Sequence, residues 1–329
     1  MANPSTASVA VERTVQSRRV RQFIHQLRNG DEVAHLITLL AAASIIVVTV
    51  MLVYQLFVNS ALPRHKFGLQ FFLGRTWDPV SGDFGALPFI YGTVISSALA
   101  LLIAVPLGVG AAIFLSELAP TRISNYLTFV IELLAAIPSV IFGLLGIFVL
   151  VPVLRKVLMP FLKHSFGFLP LFKGPIYGVS MLAAGVVLAI MIVPFIISVS
   201  REVLMAVPVE QREAALALGA TKWESTWQVV VPFARVGIMA SVFLALARAL
   251  GETMAVTMVI GNDPKIHASL FAPAYSIAAV IANEFTEATG DLYLQSLIEL
   301  GLVLFLLTIL INGLARLVII ATTQKGAQM

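Results

Sequence analysis

Arg248 stands inside an apolar run, in ALARALGETMAVTMVIGN (245–262), near the middle of Val236–Ile260. An arginine at mid-bilayer costs at least about 2.5–3.5 kcal/mol on insertion scales unless it faces protein or water. Such a charge marks either the route of a charged cargo or a structural ion pair. Glu252 lies four residues on, the same face of a continuous helix, and suits either reading: it can hold the guanidinium in place while the guanidinium meets a cargo. A guanidinium is a planar fork of donors that matches an oxyanion, so the cargo chemistry it points to is anionic. Glu132, near the inner end of the run Leu127–Val153, is a further carboxylate in apolar surroundings. It reads as a gate, an ion-pair partner or an ordinary boundary residue.

Other chemistry is not spelled out. The 329 residues include no cysteine, which excludes disulfides, thiolate metal sites and cysteine nucleophiles. No G-x-x-x-x-G-K-[ST], HExxH or G-x-S-x-G pattern occurs, so ATP-phosphate binding, zinc hydrolysis and a serine elbow lack their signatures. The five histidines (His25, His35, His65, His164, His267) are scattered. Catalysis by this chain alone has no visible apparatus: no catalytic residue, no metal site and no cofactor of its own is expected.

With 59% hydrophobic and 12% charged residues, against about 25% charged in soluble domains, the chain is a polytopic membrane protein. The expected fold class is all-α, a bundle of six transmembrane helices, because helices satisfy their backbone groups internally in lipid. Six apolar runs of bilayer length are visible: Leu36–Val58, Phe89–Leu115, Leu127–Val153, Tyr177–Ser200, Val236–Ile260 and Leu294–Ile320. Pro106, Pro138 and Pro194 interrupt three of them. The expected organisation is a basic N-terminal tail at 1–33, with Val11–Leu27 as a surface helix or an unstructured segment, a six-span domain at 34–322, and a C-terminal tail at 323–329. The net charge of +4 is assigned to membrane flanks rather than to nucleic acid. The arginines before the first span place both termini in the cytoplasm, although Arg64, Lys66, Arg75, Arg155, Lys156, Lys163 and Lys173 would then lie outside. Outside segments Asn59–Pro88, Leu154–Ile176 and Asn262–Tyr293 carry aromatics and are expected to fold against the membrane face. Ala135, Ala136, Ser139, Gly143, Gly146, Ala247 and Gly251 offer close helix approach.

Between the fourth and fifth runs lies Glu213–Pro232, EAALALGATKWESTWQVVVP, the most polar break in the apolar pattern. Pro208 suits a helix start and Gly219 a left-handed helix stop. Thr221 and Glu224 have capping-box spacing, so a second short helix should begin at once and lead through Pro232 into the next span. A bent helix pair at a membrane face is either a docking knob or an ordinary amphipathic loop.

Glu213-Ala214-Ala215, then Gly219, then Val229-Val230-Val231-Pro232 resembles the EAA motif of ATP-binding-cassette importer permeases, with valine at the two aliphatic positions before the proline. That resemblance implies the MetI-like (type I) fold and a loop inserted into a separate ATPase subunit through Glu213, Ala214, Ala215, Gly219 and Pro232. ELLAAIPSVIFGLLGIFVLVP (132–152) and RALGETMAVTMVIGN (248–262) are similar to the phosphate-uptake (Pst) permeases, PstC-type, over most of Leu36–Ile320. The family implies a bacterial inner membrane, a PstA-type second permease, two PstB-type ATPases carrying ATP and Mg, a PstS-type phosphate-binding protein, and a transport role for Arg248 and Glu252. Sulfate or molybdate import by the same machine, or an ion-gradient-driven transporter using Glu132 and Glu252, are the alternatives; the EAA loop and the lack of a visible inverted repeat speak against the gradient-driven one.

Overall fold

A computed structural model describes residues 31–326, with side chains over 34–317. The N-terminal tail and its amphipathic stretch lie outside the described residues. Two units are distinguished, Met1–Val58 and Asn59–Met329. Among the described residues six helices are long and apolar enough to cross a membrane: Ala34–Asn59, Leu87–Leu118, Ser139–Phe166, Met181–Met205, Lys222–Leu250 and Asp291–Leu317. The all-α expectation holds, with one two-residue hairpin as the exception.

In the first unit, most apolar side chains of helix α1 (Asp31–Asn59) from Ala34 onward are exposed. The second unit begins with two short helices, α2 (Ala61–Phe67) and α3 (Gln70–Leu73), and a hairpin pairing β1 (Trp77–Asp78) with β2 (Asp83–Phe84). Aromatics form the centre of this segment. Trp77 packs edge-on to Phe84 and Phe89 at 4.8 and 4.9 Å between centroids, and Phe84 stacks on Tyr293. The Glu284 carboxylate receives Trp77 Nε1–H at 2.8 Å and Tyr293 O–H at 2.7 Å, so the polar ends of the cluster are satisfied. Burial, and then the nearby Glu284 charge, push the Tyr275 phenol up to about 12.

The remaining spans and the shorter helices between them follow as α4 (Leu87–Leu118), α5 (Thr121–Ala135), α6 (Ser139–Phe166), α7 (Met181–Met205), α8 (Val209–Ala217), α9 (Lys222–Leu250), α10 (Met254–Val259), α11 (Ile277–Glu284) and α12 (Asp291–Gly326). Helix α7 is the hub: its buried Leu188, Ile192 and Ile196 belong to the main core, which also takes in Ala100 and Ala104 of α4.

Three boundaries differ from the sequence reading. The run Leu127–Val153 is not one helix. Pro138 is extended (ψ 141°), has no N–H to continue the ladder and disfavours helix at Ile137, so α5 stops at Ala135 and α6 restarts at Ser139. The supposed outside loop Leu154–Ile176 is helical as far as Phe166. The run Val236–Ile260 breaks as well: α9 ends at Leu250 and Gly251 is its C-terminal cap.

The two interrupted spans meet. Ala255 and Met258 of α10 lie over Gly143 of α6, and Val259 lies over Gly146. A β-carbon on Gly143 would sit 2.6 Å from Met258 Sδ and 3.1 Å from Ala255 Cα. The close-approach role expected of these two glycines therefore holds. Gly251 does something else: the nearest atom a β-carbon would meet there is the Ala247 carbonyl of its own helix, at 3.8 Å. Gly143→Ala is expected to displace α10 and cost about 1–3 kcal/mol, the usual range for overpacking. A thermal melt of the detergent-solubilised chain equal to the parent's would count against this packing role.

Candidate functional site

Two sites emerge, one at each kind of helix interruption. At the first, α7 ends at Met205 and the chain turns through Pro208 into α8. Pro208 is the N-cap rather than the first helical residue. The α8 carbonyls close on the turn: Gly219 N–H donates to Leu216 O at 3.0 Å and Ala220 N–H to Ala215 O at 3.2 Å. Gly219 has φ +90°, a left-handed conformation that side chains with a β-carbon resist. Thr221 and Glu224 then form the expected capping box: Thr221 Oγ1 accepts from Glu224 N–H, and Glu224 Oε2 accepts from Thr221 N–H at 2.8 Å.

The second helix is not short. It runs unbroken from Lys222 to Leu250, and Pro232 lies within it rather than between helices. A π-turn at Thr226–Val230 precedes Pro232, with Val231 N–H reaching back five residues to Thr226 O. Widening the turn there relieves the crowding that proline causes in a regular helix. The bend at Gly219 therefore leads directly into the helix that carries Arg248 in its last turn.

Glu213, Ala214, Gly219 and Pro232 are exposed and Ala215 is half-buried. Ala214, Ala215 and Gly219 line a hollow of about 530 Å³ between α8 and the start of α9, with Gln211, Glu224 and Gln228. Leu218, 90% exposed, also lines it, and on the start of α9 the half-exposed Trp223 and Trp227 meet ring to ring at 5.5 Å. Apolar groups so placed mark a contact surface.

The anchor of this knob was not foreseen. Arg212 Nε and Nη2 donate to the two oxygens of Glu117 at 3.1 and 2.9 Å. The same guanidinium donates to the carbonyls of Leu204, in the last turn of α7, and of Val207, just beyond it. Glu117 is at the end of α4, so one side chain fastens α8 to two spans. Beside it Arg201 Nη2 donates to Ser124 Oγ, which donates to Leu115 O at 2.7 Å. Deeper in the bundle Ser241 of α9 donates to Ile238 O, leaving Ser200 of α7 to donate to Ser241 Oγ at 2.7 Å.

At the second site the expected same-face pair does not form. Arg248 lies in the last turn of α9, not mid-helix, and Glu252 lies beyond the Gly251 cap. Among the described residues no ion pair joins them. The helix ends because Gly251 and Glu252 leave its register. The Glu252 carboxylate instead accepts Ala255 N–H at 3.2 Å, capping the first turn of α10. Arg248 suits its place electrostatically, a cation at the negative end of a helix, and its side chain is exposed on this chain. Glu132 is exposed near the end of α5, just before the break at Pro138. No hydrogen bond or ion pair among the described residues links it to Arg248 or Glu252. The three charges thus flank the two interruptions, whose continuations α6 and α10 pack together.

Glu299 was overlooked. It is 1% exposed within α12, with Arg64 of α2 as the opposing charge. A charged residue inside the run Leu294–Ile320 was the available signal, the one that had picked out Arg248.

Residues 104–321 match the family of binding-protein-dependent transport system inner membrane components. The phosphate transport system permease protein PstC of Mesorhizobium japonicum is 50% identical over 290 residues, covering 87% of this chain and 89% of that protein. The PstC of Xylella fastidiosa is 48% identical over 262 residues, covering 78% and 81%. A solved inward-facing methionine ABC transporter, MetNI, is 18% identical, with a TM-score of 0.49 and coverage of 72% of this chain and 94% of that one. By its family match and by its likeness to these permeases along most of its length, the chain belongs to the binding-protein-dependent inner membrane transport components, among the PstC phosphate transport permeases.

Proposed function

We propose that this chain is the PstC-type permease subunit of an ATP-driven importer that moves inorganic phosphate through a bacterial inner membrane. The observation that carries the reading is the continuity of the Gly219 knob with the helix bearing Arg248. A partner ATPase binding ATP and Mg would push the knob around Glu213–Ala215, and α9 would carry the displacement to the path. Both termini lie in the cytoplasm on this reading, with two PstB-type ATPases on the same side as Gly219. A PstA-type permease and a PstS-type binding protein complete the machine.

Interrupted helices at membrane depth are tolerated where they line a cavity or are buried in protein. An exposed Arg248 at such a break supports a route shared with the second permease. Its guanidinium attracts the anion, and Glu252, held on α10 rather than on the guanidinium, leaves the donor fork free for cargo.

The test is ATP-driven uptake of labelled phosphate in proteoliposomes holding all four kinds of subunit, without an ion gradient. A hydrogen bond to a charged group contributes about 1.5–3 kcal/mol, so Arg248→Gln is expected to slow uptake roughly 10- to 100-fold, with assembly unchanged. Parental uptake by an intact Arg248→Gln complex removes the pathway role. Uptake of sulfate or molybdate in place of phosphate replaces the assigned cargo.

A further inference from the structure

At the end of the bundle opposite Gly219, the loop between α6 and α7 meets the loop between α10 and α11. The two are fastened backbone to backbone. Leu270 N–H donates to Leu171 O at 2.8 Å, Leu182 N–H to Leu270 O at 2.9 Å, and Met181 N–H to Ala272 O at 3.1 Å. Between them is a hollow of about 710 Å³. The titratable groups that line it are Lys173, Tyr177, Asp263, Lys265 and His267.

The charges do not balance. Asp263 faces His267, with 3.7 Å between Oδ2 and Nε2. Among the described residues no hydrogen bond or ion pair engages the ammonium of Lys173 or of Lys265. A third ammonium stands at the edge, where Lys163 Nζ donates to the Gly174 carbonyl at 3.0 Å. Unpaired cations in a concave, backbone-fastened wall concentrate anions. Lysine is a hydrated point charge without arginine's fork, so it attracts an oxyanion without clamping it. The chain links the hollow to the second site: Asp263 follows the end of α10, a six-residue helix about 9 Å long, and Glu252 caps the other end of that helix.

We infer that this hollow is a weak binding site for inorganic phosphate, a waiting position outside the path from which the anion passes along α10 to Arg248. The inference rests on the phosphate-importer reading above and adds a second anion site to it.

The absence of cysteine makes a direct test possible, because Ala268→Cys gives this chain one thiol, on the wall of the hollow. The assembled complex, without binding protein, is treated with a membrane-impermeant maleimide. Millimolar inorganic phosphate is expected to slow modification of this chain several-fold relative to chloride at equal ionic strength. Adding Lys173→Gln and Lys265→Gln is expected to abolish the slowing. The ratio with and without phosphate is compared within each background, since losing an ammonium also shifts the thiol's own titration. No protection by phosphate, or protection that survives loss of both lysines, overturns the inference. Protection by added binding protein alone overturns it too and makes the hollow a docking surface. Phosphate uptake by the unsubstituted complex is measured in parallel. Uptake without protection sinks this site and leaves the importer reading standing; no phosphate uptake sinks both.

Discussion

Arg212→Ala should be among the most damaging single substitutions in the half of the permease that bears Gly219. It strands Glu117, whose side chain is 10% exposed, and removes the donor to the Leu204 and Val207 carbonyls. Breaking one side of a largely buried ion pair costs about 3–5 kcal/mol, because the remaining charge stays buried without its partner. The expected result is a lowered melting temperature of the purified complex and ATP hydrolysis that no longer drives uptake in proportion. Arg212→Lys should recover only part of this, since an ammonium cannot span both carboxylate oxygens and two carbonyls in the same fork. Replacing Arg212 and Glu117 together by methionine should restore stability better than either single change, because no buried charge is then left alone. A parental melt and parental coupling in Arg212→Ala would show that α8 is held by something other than this clamp.

Gly219 gives the second large effect, with an unusually clean cause. A β-carbon there would meet nothing within 4 Å, so neighbours do not resist a side chain. Only the backbone does, at φ +90°. The left-handed region costs ordinary residues roughly 1–2 kcal/mol, less for asparagine and more for β-branched side chains. Gly219→Asn should therefore be mild, Gly219→Ala intermediate and Gly219→Val severe in uptake per ATP and in co-purification of the ATPase. Three variants with equal coupling would mean that the bend does not transmit force. A reversed order would mean that side-chain contact with a partner, rather than backbone conformation, governs the site.

These two residues also mark what could be read in the sequence. Gly219 and the Thr221–Glu224 box were legible because their signals are local: a helix stop and a cap are set by residues within one turn of each other. Arg212 and Glu117 are 95 positions apart, and nothing in the spacing of either announces the other. Apolar runs gave the existence of the spans but concealed their interruptions. Met254–Val259 is as apolar as a continuing helix would be, so the polar dip at Gly251–Glu252 reads as a charge within one span rather than as a stop. The same holds at Pro138, where the proline was visible but its effect, a bend or a complete stop, depends on whether α6 finds α10 to pack against. The Arg248–Glu252 spacing misled for this reason: a four-residue interval implies a shared face only while the helix lasts.

The π-turn at Thr226–Val230 has a consequence for angular phase. A π-turn lodges one residue more than a regular turn, and in an α-helix each residue advances the direction of a side chain by about 100°. Knob and path share one rod, yet their azimuths are offset by that single residue. Removing Gln228 would let the turn close into a regular helix and leave Arg248 near its present azimuth, whereas a regular helix that kept every residue would turn Arg248 by about 100° relative to Gly219. The direction in which a push arrives and the direction in which the guanidinium points are thus set separately, by a register shift rather than by the choice of side chains.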